Sequence, residues 1–234
     1  MLPNTPTQPE SLALPPAESG PIADARAEFY AINGDEVSGF YPLSHNDEAM
    51  KMRLALVSNA TTSIDIKYFI WQGDAMSDIL FVALYGAADR GVQIRMIVDD
   101  LGMAANDSAL AAISQHTNIE IKLYNPGKVR SGALGPMGEF LLRFRQLNRR
   151  MHNKLMVIDG HMAIVGGRNI GSPYFGASTQ YNFRDFDAIV TGPVLRGIRE
   201  SFDEYWNAEI SYPTKYIKTK TSAKEMRQQR VHQS

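Results

Sequence analysis

The sequence predicts an α/β domain built on a mixed β-sheet with helices on both faces. Three observations predict it. Between Ser63 and Val98 a strand pattern, a helix pattern and a second strand pattern follow one another at the spacing of a crossover connection. Around Asp159-Gly160-His161 two short apolar runs flank a turn signal. After Gly192-Pro193 a helix pattern places Val194, Ile198, Phe202 and Tyr205 on one stripe.

The elements can be justified in order. Residues 1–27 are rich in Pro, Ser, Thr and Ala, and Pro3, Pro6, Pro9, Pro15, Pro16 and Pro21 argue against a regular element there, so this stretch is expected to be a flexible leader. The folded domain is expected over residues 28–210. Met50, Leu54 and Val57 stand at helical spacing within residues 46–60. Ser63 to Trp71 alternates and is rich in β-branched and aromatic residues, which predicts a strand. A helix over residues 75–90 is stopped by Gly91, and strands follow at Val92–Val98 and Ile119–Tyr124. Residues 125–150 are first Gly- and Pro-rich, then basic. Short strands are expected at Lys154–Asp159, Met162–Gly166 and Asp185–Thr191, and the last helix runs to about Ala208. Residues 211–234 carry Lys215, Lys218, Lys220, Lys224, Arg227 and Arg230 against Glu225 alone. They are expected to be a solvated, disordered tail, with attraction to anionic lipid as the alternative.

Composition narrows the function. The chain has 234 residues, enough for one substantial core. A net charge of −1 offers no global basic field to recruit nucleic acid. The chain contains no cysteine, which excludes disulfides, cysteine-ligated zinc and a cysteine nucleophile. No apolar run approaches the roughly 18 residues that span a bilayer, and the N-terminus lacks the basic start and apolar core of a signal peptide. Membrane contact is therefore expected to be peripheral, or to depend on a segment outside this chain.

One segment carries chemistry. Residues 152–169 read H-x-K-x4-D-x6-G-G-x-N, fixed by His152, Lys154, Asp159, Gly166, Gly167 and Asn169. At average residue frequencies this coincidence arises in roughly one of several hundred thousand chains of this length, which makes the segment a signal. On a strand, His152 and Lys154 would point to the same face. An imidazole can attack phosphorus and split one difficult displacement into two easier ones. A neighbouring ammonium neutralises the non-bridging phosphate oxygens. Asn169, after the Gly-Gly turn, can donate its amide to the same oxygens, and Gly166 and Gly167 let backbone approach phosphate closely. No metal or cofactor is called for, because side chains supply the positive charge. Taken singly, a histidine is more often structural, and Asp159-Gly160 suits any tight hairpin.

These six positions match the HKD motif of the phospholipase D superfamily. With Ser63–Trp71, Ala87–Val92, Leu147–Lys154 and Gly192–Val194, the chain from about 29 to 212 resembles the first half of bacterial cardiolipin synthases of the C type. The resemblance implies a phospholipase D-like domain and a phosphodiesterase or phosphatidyltransferase that acts on phospholipid through phosphohistidine. It implies His152 as nucleophile, or as the acid/base of a pair, with Lys154 and Asn169 holding phosphate. A downstream carboxylate would orient His152. Asp185 is the first choice and Asp187 the second. Asp159 is expected to satisfy backbone groups more than to touch substrate. Gly167 stands where some members have Ser, so a hydroxyl contact to phosphate is lost.

The resemblance also implies a missing half. Enzymes of this superfamily need two such motifs, yet His45, His116, His161 and His232 are none of them followed by Lys two residues later. The expected partners are an anionic phospholipid such as phosphatidylglycerol, and a second HKD half from a longer protein or a homodimer mate. Bacterial origin and peripheral membrane association follow from the same likeness. A metal-independent homodimeric nuclease and an inactive truncated fragment are the competing readings, with nucleic acid disfavoured by charge. No serine elbow, zinc helix or P-loop is present. Asp99-Asp100 could bind a metal, though a capped turn suits it better. Arg143, Arg145, Arg149, Arg150 and Lys154 form a basic approach to His152 that suits either an anionic substrate or a solvated helix face.

Overall fold

The computed structural model describes residues 8–102, 116–126 and 150–216. The elements, in chain order, are α1 (Pro21–Asn33), β1 (Gly39–Leu43), α2 (Asn46–Asn59), β2 (Ser63–Tyr68), α3 (Ala75–Asp89), β3 (Gln93–Asp99), β4 (Ile119–Tyr124), β5 (Leu155–Ile158), β6 (Met162–Gly166), β7 (Asp187–Thr191), α4 (Leu195–Trp206) and β8 (Ser211–Pro213). The strands form one mixed sheet in the order β1-β7-β6-β5-β2-β3-β4-β8. β2, β3 and β4 run parallel, and β5 joins them antiparallel to β2, with Lys67 opposite Leu155.

The two sheet faces differ in chemistry. Ile64, Ile66, Tyr68, Ile94, Met96 and Val98 pack with Leu56, Val57, Leu80 and Leu84 of α2 and α3 in an apolar core. The other face packs Ile97, Leu155, Val157 and Val190 on Leu195, Phe202 and Trp206 of α4. Here β2 and β3 also bury charge: Arg95 bridges Asp65 at 2.7 Å and Asp203 of α4 at 2.8 Å. Lys67 donates to the Ser201 carbonyl and hydroxyl, and burial pulls its ammonium down to about 8. Helices on both faces of a mixed sheet agree with the expectation.

Helix ends follow local rules. Asp74 caps α3 by accepting from the Ser77 N–H, and Gly91, at φ 97°, ends it in a backbone shape that side chains resist. Pro21 opens α1, where the proline-rich reading expected no regular element. The first helical turn has no N–H bond for proline to lose, so the residue taken as a breaker starts the helix. The expected boundary between residues 27 and 28 falls inside α1. The preceding segment is tied down across α4 and the β5–β6 turn: Ser11 N–H donates to Asn207, Ala13 N–H to Asp203, and Ala17 N–H to the Asp159 carbonyl. β1 was not foreseen, because Gly39 and Pro42 mask it. It sits at the sheet edge, where a missing N–H is tolerated. β8 falls within the expected tail and pairs with β4. Residues 1–7, the Gly/Pro-rich and basic stretch through 149, and the tail beyond 216 lie outside the described residues.

Candidate active site

β5 begins at Leu155, so His152 and Lys154 precede the strand, contrary to the strand geometry expected of them. They come together all the same. The Lys154 ammonium lies 3.1 Å from His152 Nε2 and donates to the His152 carbonyl at 2.7 Å. An ammonium can only donate, so a hydrogen bond across this contact requires Nε2 as acceptor, with the proton of a neutral ring on Nδ1. His152 is exposed, while Lys154 is only 6% exposed. Burial pulls the Lys154 ammonium below the ordinary lysine range, and the Asp185 carboxylate opposes that shift.

Phe69 follows β2 by one residue and was not singled out in the sequence. Its ring centroid lies 5.1 Å from that of His152 and 5.6 Å from the Lys154 ammonium, within reach of a cation–π contact. The antiparallel register of β2 with β5 carries Phe69 there. That register is the signal that would have found it, and it joins residues almost ninety positions apart.

Gly166 and Gly167 lie against the 185–187 segment. A Cβ on Gly167 would collide with the Asp185 carboxylate, and one on Gly166 with Asp187 and the Phe186 carbonyl. Room for these neighbours is a requirement on both glycines. Asp185, the first choice to orient His152, accepts from its neighbour's Phe186 N–H at 2.8 Å. Among the described residues no hydrogen bond joins it to the imidazole. Its nearness to the pair is expressed through Lys154. Asp187, the second choice, is fully buried. It pairs with Arg53 at 2.9 Å and with Arg168 at 3.3 Å, so it serves the core beneath the turn.

Asn169 is buried. Its Oδ1 accepts the Ile70 N–H at 3.0 Å, and its amide donates to the Tyr174 hydroxyl at 2.9 Å, leaving one amide hydrogen. Asn169 thus ties the end of β2 to the Gly-Gly turn. Asp159 stands at the far end of β5, away from His152. Its carboxylate accepts from the Thr61, Thr62 and Ser63 N–H groups and from the Thr61 hydroxyl at 2.7–3.0 Å. It satisfies backbone at the start of β2, and its place among the candidate catalytic residues is not supported by this position. Of the basic approach to the site, Arg150 is described and pairs with Asp99 at 3.2 Å. Arg143, Arg145 and Arg149 lie outside the described residues. Asp99 accepts the Leu101 and Met151 N–H groups, as a turn-capping carboxylate does.

The comparisons with known proteins place the chain in a family and a fold. Residues 54–206 match the family described as "Cardiolipin synthase, PLD-like domain". Cardiolipin synthase C of Escherichia coli (strain K12) is 38% identical over 179 residues, 76% of this chain and 37% of that protein. Among solved structures, phosphatidylserine synthase of Haemophilus influenzae Rd KW20 superimposes with a TM-score of 0.59 at 15% identity, over 82% of this chain and 42% of that one. Nuc of Salmonella typhimurium, a phospholipase D family member, gives 0.52 at 17% identity over 76% of this chain and 98% of that one. The structural likenesses speak for the fold alone. The chain spans about two fifths of the length of the curated relatives it matches, 37% and 41% of the first two. No described helix is long and apolar enough to cross a membrane.

Proposed function

Because this chain belongs to the phospholipase D superfamily, within its cardiolipin synthase-like family, we propose that it supplies one half of a phosphatidyltransferase site that works through phosphohistidine at His152. The observation that carries the reading is the Lys154 ammonium 3.1 Å from His152 Nε2. A phosphodiester entering here draws the ammonium onto its non-bridging oxygens and frees the Nε2 lone pair. Nε2 then attacks phosphorus, a P–N bond forms, and the P–O bond to the leaving alcohol breaks. The departing oxygen takes a proton from an acid outside this chain, supplied by a second half. An alcohol or water then gives its proton back to that group and attacks phosphorus, a P–O bond forms, and the P–N bond breaks to release Nε2. Lys154 and the remaining Asn169 amide hydrogen neutralise charge on the phosphoryl oxygens. Asp185 stabilises the cationic form of Lys154. The substrate is phospholipid, with an anionic lipid such as phosphatidylglycerol as donor or acceptor, reached by peripheral contact with the membrane.

The test is release of head group, or formation of cardiolipin, from phosphatidylglycerol vesicles by the chain alone and with a second-motif half. Lipid turnover that disappears in His152→Ala is the expected outcome. DNA degradation in EDTA without lipid turnover would transfer the assignment to a nuclease, and inactivity in every combination would leave an inactive fragment.

A further inference from the structure

Asp99 ends β3 at the carboxyl edge of the parallel strands and is fully buried. One carboxylate oxygen accepts the Met151 N–H at 3.1 Å. The other accepts the Leu101 N–H at 3.0 Å and Arg150 Nη1 at 3.2 Å. The same Arg150 nitrogen donates to the Asn125 carbonyl at 3.3 Å, just past the end of β4. The two residues before His152 are therefore fastened to the ends of two sheet strands. The Met151 side chain is fully buried beneath α4, and on the other side Lys154 leads directly into β5. The exposed imidazole is suspended between anchored neighbours. Burial pushes the Asp99 carboxyl above the usual carboxylate range, against the opposing pull of the Met151 N–H and Arg150.

Resting on the proposed chemistry at His152, we infer that Asp99 is a positioning residue for the nucleophile, acting through Arg150 and the Met151 main chain to fix the approach of the imidazole to phosphorus. The carboxylate suits this task because both its oxygens accept and its charge holds the guanidinium. An asparagine of the same shape keeps one acceptor and turns an amide N–H2 toward donors. Positioning acts on the reacting geometry, so its loss lowers kcat while binding is retained.

Asp99→Asn is expected to lower kcat about 10- to 100-fold with KM within about twofold, the scale of a small misplacement of a reacting group. Asp65→Asn is the comparison, since it weakens another buried carboxylate–arginine contact on the neighbouring strand without touching the His152 segment. A second readout is independent of turnover: long-range proton–nitrogen NMR of the imidazoles. Asp99→Asn should move the His152 ring signals from the Nδ1-protonated form toward a mixture of tautomers, while the buried His161 ring stays put. If Asp99→Asn does not fold, Arg150→Gln, which keeps Asp99 and its backbone donors, should produce the same changes in smaller degree. Unchanged His152 ring signals overturn the inference, as does an equal loss of kcat in Asp65→Asn. Failure of the proposed function reads differently: no phosphohistidine forms in the unsubstituted chain, while the ring signals still report the positioning.

Discussion

The two ends of β5 make an instructive pair. At its start, His152 is exposed, and the Lys154 ammonium beside it donates to its neighbour's ring and carbonyl, lies over the Phe69 ring, and among the described residues forms no ion pair with a carboxylate. At its end, Asp159 is buried and its carboxylate receives four hydrogen bonds from residues 61–63. Both belong to the same run of motif residues. One end leaves an exposed imidazole beside an ammonium, while the other has spent its polar capacity on the fold. Asn169 and Asp187 side with the second end, as the amide is largely committed and the carboxylate holds two arginines. On the proposed chemistry the motif is a short reactive segment fixed to a longer scaffold, and each part should fail in its own way when altered.

The largest effect is expected at the reactive end. His152→Ala should abolish turnover while leaving the unfolding transition in place, because the ring is exposed and, among the described residues, meets Phe69 and the Lys154 ammonium. Activity and thermal melting on the same sample check both halves of that statement. Lys154→Met should cost about 10²- to 10³-fold in kcat, the scale of losing one preorganised charge at a transition state. It should not lower stability, since a poorly solvated ammonium is replaced by an apolar chain of similar length. Steady-state kinetics beside urea unfolding would show the split.

Asp159→Ala should reverse the pattern. Three backbone N–H groups and a hydroxyl lose their acceptor, so stability should drop by about 3 kcal/mol, while turnover per folded molecule stays near the original. Asp159→Asn should lose less, because asparagine keeps one acceptor and tolerates the φ of 51° found here. A catalytic defect in a folded Asp159 variant would collapse the contrast between the two ends.

The smallest effect is expected between them. Asp185 opposes the burial that lowers the Lys154 pKa, so Asp185→Asn should lower it further. The rate falls as pH rises through this pKa and the ammonium is lost. The alkaline limb of the pH–rate profile should therefore shift to lower pH, with little change below neutrality. A direct orienting role on the imidazole would instead depress kcat across the whole profile.

The sequence showed the motif's chemistry more clearly than its division of labour. His152 and Lys154 were legible because few other roles call for an imidazole and an ammonium two residues apart. Strands β2 to β7 and the helices at 46–59, 75–89 and 195–206 were legible through periodicity, which local chain geometry enforces, whereas β8 was hidden in a stretch read as tail. Helix α1 and the edge strand β1 were obscured by prolines and a glycine whose effect depends on position. Phe69 and Arg53 were not legible as parts of the site or its support. Arg53 reaches Asp187 across 134 residues, and such pairings follow from strand order, which no local pattern states. The family resemblance offered Asp187 as the second choice of orienting carboxylate, and the arginines that hold it were not readable for the same reason.

The central claim is that His152 attacks phosphorus. An aryl phosphodiester, whose leaving group departs without help from an acid, removes the dependence on a second half. The chain would be incubated with this substrate, quenched in alkali to preserve P–N bonds, digested and sequenced by mass spectrometry. The account predicts a phosphoryl adduct on the imidazole of His152, absent from His152→Ala and reduced in Lys154→Met. An adduct on another residue, or aryl release by the chain with no adduct on His152, would contradict it.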